Sequence, residues 1–354
     1  MMRALTAGLL SALSWSIGCA SAPADAAKTP AAEPKQNAPS APATAHSAPG
    51  TPAAPGATAS AGNQDCSSAA KLPLDPRVRR VLNEAVTDLA FGKGTTAAVR
   101  HGLHVKLHEQ GKWKDLPDLP ARLDGQTFEL FFGRDNQPRI MGSTRDAEPV
   151  SIYLRFKQSR WQPEPGELGR LGKPQGALFG VLGYADPEVV CRPGDVCLIK
   201  RLSGWQSVPS PAAPLKVVLS EKDAWALASD HLQQLQAQGF VRYQPEQRLS
   251  EPSSVSGDPS TSLWVTDATP SKVFRLEAGA WQDLPTPLPR ARAVHARSST
   301  DVYVIGDQGA AHFDGNSFSC LAGVAGPLHT LLEVGEELWL AGGAGVFAVA
   351  KNQR

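Results

Sequence analysis

Six aromatic residues, Trp113, Trp161, Trp205, Tyr243, Trp281 and Phe318, recur along this chain at gaps of 48, 44, 38, 38 and 37 residues. Several follow a turn and precede a proline, as in Gly111-Lys112-Trp113 to Pro117, Gly204-Trp205 to Pro209 and Gly279-Ala280-Trp281 to Pro285. Upstream of most lies an apolar run often opened by Asp: Asp223-Ala-Trp-Ala-Leu227, Ser262-Leu-Trp-Val-Thr266, Asp301-Val-Tyr-Val-Ile305. The clearest copy is Ser298–Leu321. It reads as a strand (Val302 to Ile305), a glycine turn (Gly306 to Gly309), a second strand (Ala310 to Phe313), an Asp314-Gly315 turn and a third strand opening on Phe318. Asp-Gly between β-type runs signals a hairpin, because a type I′ turn needs positive φ at both central residues.

Self-similarity at 40–50 residues is the signature of a four-stranded propeller blade. The expected fold is therefore all-β, a β-propeller of seven four-stranded blades, with six or eight left open because Tyr243 marks the weakest unit. The seventh unit, from Glu336 through Trp339 and Gly342-Gly343 to Ala350, stops before its last strand. A strand ahead of unit one, placed at Cys66–Leu74, is expected to supply it, which would close the ring and remove an exposed edge. Asp75-Pro76 before Val78, Val81, Leu82 and Ala85 also reads as a helix start. Either a short helix or a first strand there serves the same architecture. Leu232 to Leu235 has helical propensity, but its place in the repeat favours a strand.

The run from Asp301 to Phe318 resembles the repeats of bacterial envelope lipoproteins, and more broadly Kelch, WD-repeat and sialidase-like propellers. The resemblance spans residues 66 to 354 and is one of pattern, without consistent Kelch glycine pairs or Trp-Asp dipeptides. It implies a fold, and a fold does not fix function.

The N-terminus reads as an export signal over residues 1–19. Arg3 precedes an apolar run from Ala4 to Ile17, shorter than the roughly 20 residues a membrane-spanning helix needs. Ser16-Ile17-Gly18-Cys19 resembles a lipobox, with Cys19 as the residue lipidated, although Ser16 stands where Leu is usual; cleavage after Ala24-Asp25-Ala26 is the other route. Residues 20–64 are nearly all Ala, Pro, Ser, Thr and Gly, without an aromatic. Such a segment cannot bury enough surface to offset ordering, and as a coil it would reach about 35–40 Å. The expected domains are thus a signal (1–19), a tether (20–64) and a propeller (65–354), exported and held in the bacterial envelope or secreted.

Thirty-five Lys and Arg against 34 Asp and Glu leave a net charge of +1, so no basic stripe points to nucleic acid. His101, His104 and His108 suggest a metal site on a helix, yet Leu103, Val105 and Leu107 alternate with His104, Lys106 and His108. On a strand His104 and His108 lie about 13 Å apart, too far for one zinc ion, so a solvated strand face is expected. Of five cysteines, Cys66, Cys191, Cys197 and Cys320 remain after export, an even number that favours disulfides. Cys191 and Cys197 flank a Pro-Gly turn and suit a local clip; Cys66 would then pair with Cys320 and fasten the ring, provided their Cα atoms come within about 7 Å.

No Gly-x-Ser-x-Gly elbow, phosphate loop or calcium-type Asp run occurs. Asp223 and Asp301 fit turn roles, and the tryptophans fit wedges between blades better than sugar platforms. The expected function is a non-enzymatic binding module, without cofactor or metal and monomeric. It would offer one face to a protein or cell-wall polysaccharide and meet the membrane only through a lipid on Cys19. The segments Gln162–Gln175 and Tyr243–Ser262 are the expected contact loops. Alternatives are a glycan-processing hydrolase or lyase, with a site dispersed over several blades, and a subunit of an envelope assembly.

Overall fold

The computed structural model describes residues 66–123, 129–133, 135–143, 151–163, 179–181, 188–191, 196–201, 204–209, 214–220, 223–228, 230–269 and 271–351. Among these residues the strands form seven four-stranded antiparallel sheets. Six run in chain order: blade 1 spans Asp88 to Asp115, blade 2 Glu129 to Pro163, blade 3 Phe179 to Pro209, blade 4 Pro214 to Arg242, blade 5 Pro252 to Leu284 and blade 6 Ala291 to Cys320. First strands adjoin one another from blade 1 to 2, along blades 3 to 7, and from blade 7 back to 1, so they line the inside of the ring. The fold is a β-propeller.

Blade 7 is composite. Leu328–Val334, Glu337–Gly342 and Gly345–Ala350 supply three strands, and Val78–Leu82 pairs antiparallel with Gly345–Ala350 as the outermost. The register sets Val78 opposite Val349 and Arg80 opposite Phe347. The ring is thus closed by an N-terminal strand, but the strand is Val78–Leu82 and not Cys66–Leu74. Cys66–Ala69 is instead a single helical turn. The reason is visible in the side chains: Val78 joins the core of blades 6 and 7, and Val81 and Leu82 pack against that of blades 7 and 1. The segment before it follows the surface, with Leu72 57% exposed. Asp75-Pro76 starts no helix; the Asp75 carboxylate accepts from the Arg77 backbone N–H at 2.9 Å and the Arg77 guanidinium at 2.8 Å, turning the chain into the strand.

Two glycines show that the closing strand takes the place of an ordinary outer strand. Gly309, at the central turn of blade 6, has φ +128°, and a Cβ there would lie 2.5 Å from the Val324 carbonyl oxygen in the connection to blade 7. Gly345, in the same place in blade 7, has φ +110°, and its Cβ would lie 2.3 Å from the carbonyl oxygen of Leu82, the last residue of the closing strand before blade 1. Both need a residue without Cβ, for conformation and for space.

Blades 4 to 7 each carry one large aromatic on the second strand that packs against the next blade. Trp225, Trp264, Tyr303 and Trp339 are all buried, in clusters joining blades 4 to 5, 5 to 6, 6 to 7 and 7 to 1. Each stands two residues after a polar strand opener, and two indoles use it: Trp264 Nε1 donates to Ser262 Oγ at 3.3 Å, Trp339 Nε1 to Glu337 Oε2 at 3.1 Å. These aromatics are wedges, as the repeat implied.

The outer-strand aromatics fall as expected with one exception. Trp113, Trp161, Trp205, Trp281 and Phe318 lie within outermost strands. Tyr243 lies just past Gly239–Arg242, where Phe240 holds the repeat position opposite Leu235. Tyr243 instead meets Trp225 edge-on at 5.0 Å between centroids. Leu232–Gln236 is a strand. The Asp314-Gly315 turn is a four-residue loop rather than a two-residue one, its Asp314 carboxylate accepting from the N–H groups of Asn316 and Ser317. Pro252–Asp258 lies inside the expected Tyr243–Ser262 loop, so the connection there is only 243–251; residues 164–175 of the expected Gln162–Gln175 loop fall outside the described ones.

If Val78–Leu82 closes the ring, truncation on either side of it should differ in effect. A chain starting at residue 65 should melt within about 2 °C of the full chain, while one starting at residue 84 should lose cooperative melting, since its last blade exposes an edge. Equal melting of both chains would contradict the closure.

Candidate binding site at the inner seam of blades 6 and 7

The first strands of blades 6 and 7, Ala291–Ser298 and Leu328–Val334, bring three titratable side chains together. Arg297 Nε donates to Glu333 Oε1 at 3.1 Å, and His295 Nε2 lies 3.3 Å from the same oxygen. The Arg297 side chain is 5% exposed, whereas that of Glu333 is 46% exposed and faces solvent. His295 and Arg297 hold the Glu333 carboxyl down to about 2, against the upward pull of burial. Glu333 is therefore ionised throughout the physiological range.

Strand register extends this group outward through the blade. His295 stands opposite Tyr303, Tyr303 opposite His312, and His312 opposite Ser319, so one row crosses all four strands. The Arg297 guanidinium lies 5.5 Å from the Tyr303 ring centroid, a cation–π arrangement. Tyr303 and His312 are 4.6 Å apart between centroids, and His312 Nε2 meets Asp301 Oδ1 at 2.7 Å. Burial, reinforced by Asp301, pushes the Tyr303 phenol up to about 12. The row thus holds a permanent carboxylate at its inner end and a phenol that stays protonated behind it.

At the opposite end of the same first strands, Arg292 pairs with Asp307, and Arg290 with Glu251 at 2.8 Å. Burial and Arg292 push the nearby His329 imidazole down. Between blades 1 and 2, Asp88 Oδ2 accepts from the Leu130 N–H at 2.6 Å and lies 3.9 Å from the buried Arg100. Every described carboxyl with a resolved shift moves downward: Asp75, Asp135, Asp230, Glu251, Asp314, Glu333 and Glu337, each with a hydrogen-bond donor as a cause. Such shifts mark carboxylates held ionised by neighbouring donors. A glycosidase acid needs the reverse, a carboxyl raised by burial or by a like charge.

The histidine cluster does not assemble. His101 and His104 face each other across a tight turn, and His104 Nδ1 meets Asp118 at 2.6 Å. His108 is buried, not on a solvated face as expected, because the adjoining blade covers that side of the strand; its ring lies 5.0 Å from Trp113 and 5.1 Å from Trp339. Among the described residues no three metal-ligating side chains converge.

Cys66 and Cys320 form a disulfide with Cα atoms 5.3 Å apart. Cys320 is in the last strand of blade 6, while Cys66 belongs to the helical turn ahead of the closing strand. Closing a loop of 254 residues contributes about 5 kcal/mol in the chain-entropy model. Cys197 is disulfide-bonded, and the residue opposite it in the ladder of blade 3 is Cys191. Cys19 lies outside the described residues.

Sequence reasoning missed Glu333, His295 and Arg297. Their signal was faint: polar residues alternating with Ala, Val and Leu on two first strands.

No protein-family model and no curated protein matches the chain. Solved structures do match its fold. A streptogramin B lyase aligns over 77% of this chain and 96% of its own, at 14% identity and a TM-score of 0.55. Virginiamycin B lyase from Staphylococcus aureus aligns over 79% and 99%, at 14% identity and a TM-score of 0.54. YCF48 from Cyanidioschyzon merolae aligns over 78% and 99%, at 12% identity and a TM-score of 0.54. At such identity the likeness is one of propeller scaffold.

The seam carries a pH signature. Glu333 is shifted down from 4.5, so its pairing stabilises the fold fully above pH 4.5 and is lost as pH falls through about 2. Glu333→Gln should lower Tm at pH 6, and the gap from wild type should shrink steadily between pH 4.5 and 2. A gap that is constant over that range would contradict the pairing.

Proposed function

We propose that this chain is an exported, non-enzymatic binding module that offers the inner seam of blades 6 and 7 to a protein or cell-wall partner. The observation that carries it is Glu333, held by Arg297 at 3.1 Å and His295 at 3.3 Å while its side chain stays 46% exposed. A carboxylate whose charge and position are set before binding costs little to organise and selects for a partner with complementary donors. The expected export signal and the 20–64 tether fit a domain held at a distance from a membrane by Cys19. A glycan-processing lyase or hydrolase is the second reading; the lyases that share the scaffold do so at 14% identity, which supports the scaffold alone.

Affinity purification of the full chain from its native envelope tests the reading. Wild type should retain a partner that Glu333→Gln loses by about tenfold, as expected for one charge-assisted contact, while Ser319→Ala at the far end of the row retains it. In the same cells Cys19→Ala should move the chain from the membrane to the soluble fraction. Turnover of a glycan by the purified chain, or equal retention by both variants, would overturn the proposal.

A further inference from the structure

Between blades 4 and 5 lies a second site, away from the inner seam. The connection 243–251 bridges a cleft of about 300 Å3, at the small end of ligand pockets. It is pinned at both ends. Trp281 Nε1 donates to the Pro245 carbonyl at 2.9 Å, and the buried Asp267 carboxylate accepts from the N–H groups of Ser250 and Glu251 at 2.7 and 2.6 Å. Between the pins, Gln247 and Arg248 line the cleft. The opposite wall is the outer part of blade 5. Phe274 and Asp283 are register partners, Trp281 lies two residues from Asp283 on the same face, and Lys272 two from Phe274.

The lining selects a chemistry. Lys272 pairs with Asp283, setting a donor beside an acceptor, and its ammonium lies 5.8 Å from the Phe274 centroid. Gln247 and Ser250 add further polar groups next to the half-buried Trp281 ring. An apolar ligand would strip water from these groups without replacing its hydrogen bonds. A ring bearing hydroxyls, which donate and accept at once, would match them and could lie against Trp281. The charges go further. Lys272 and Asp283 neutralise each other, and Asp267 is satisfied by two backbone amides. Arg248 is exposed and makes no ion pair with any described acid, so it is the uncompensated charge of the cleft. A guanidinium in that state suits a carboxylate, which it can bind through two parallel hydrogen bonds.

We propose that this cleft binds a saccharide unit carrying a carboxylate, its ring against Trp281 and its acid group on Arg248. The proposal rests on the reading that the domain is a binding module, and is independent of the seam at Glu333. Titration of the full chain with glucuronic, galacturonic and N-acetylmuramic acids, and with glucose, galactose and N-acetylglucosamine, tests it by tryptophan fluorescence and saturation-transfer NMR. At least one acid should bind about tenfold tighter than its neutral parent. Arg248→Ala, an exposed position, should melt like wild type and erase that preference; Gln247→Ala should weaken acid and neutral sugar alike. No binding of any of the six, equal binding of acid and parent, or a preference that survives Arg248→Ala would overturn it. Failure here with Glu333-dependent capture intact would sink the saccharide cleft alone. Sugar binding without a captured partner would sink the seam reading alone.

Discussion

The hydrogen-bonded ladder between Val78–Leu82 and Gly345–Ala350 is the interaction on which the ring depends. A propeller blade cannot bury both faces by itself; each is stable because its neighbours cover them. Without its fourth strand, blade 7 would leave Gly345–Ala350 as an open edge beside the wedge cluster of Trp339. Closing the sheet with a strand from far away in the sequence makes Val78–Leu82 and Gly345–Ala350 mutually dependent. The Cys66–Cys320 bond acts one step earlier, tying the approach to that strand to the outer edge of blade 6. The Asp75 N–H to Ala322 carbonyl bond and the Gly323 N–H to Ala69 carbonyl bond, 3.0 and 2.9 Å, hold the intervening chain in the same place. A pull applied at residue 66 would therefore reach blade 6 through a covalent bond before it reached the closing ladder.

That arrangement also explains where the polar row sits. Trp225, Trp264 and Trp339 fill their junctions with indoles, but the corresponding residue of blade 6 is Tyr303, flanked by His295 and His312. The blade 6–7 junction is thus the one of these four whose wedge carries a hydroxyl between two imidazoles, and its inner end is Glu333. Arg297 serves both sides, through a hydrogen bond to Glu333 and through its approach to the Tyr303 ring. Charge at the inner surface is consequently fixed by packing within the seam.

The fold was legible because its signal repeats. Phe318, Trp281 and Trp113 mark outer strands at a nearly constant interval, and the missing strand of the last unit implied a donor at the other end. The position of that donor was misjudged because Val78-Arg-Arg-Val-Leu82 carries two arginines and follows Asp-Pro, which reads as a helix start. Of these arginines, Arg80 bonds Asn83 locally, but Arg79 finds its partner in Glu337 at 2.8 Å, a contact 258 residues away. Tyr243 was mistaken for Phe240 because both lie near a turn and only register distinguishes them. The candidate sites were hardly legible at all. Glu333, Arg297 and His295 come from two strands whose sequences show nothing but alternation, and Arg248 stands out only once it is seen to lack an acidic partner among the described residues. Sites assembled from different blades leave no local motif.

Hydrogen exchange tests the closure most directly. Amides of Val78–Leu82 and Gly345–Ala350 should exchange together, at the slow rate of the global opening that also governs the Trp264 and Trp339 strands. Exchange of Val78–Leu82 within seconds, while Gly345–Ala350 stays protected, would show that the ring holds without its N-terminal strand and would contradict the account.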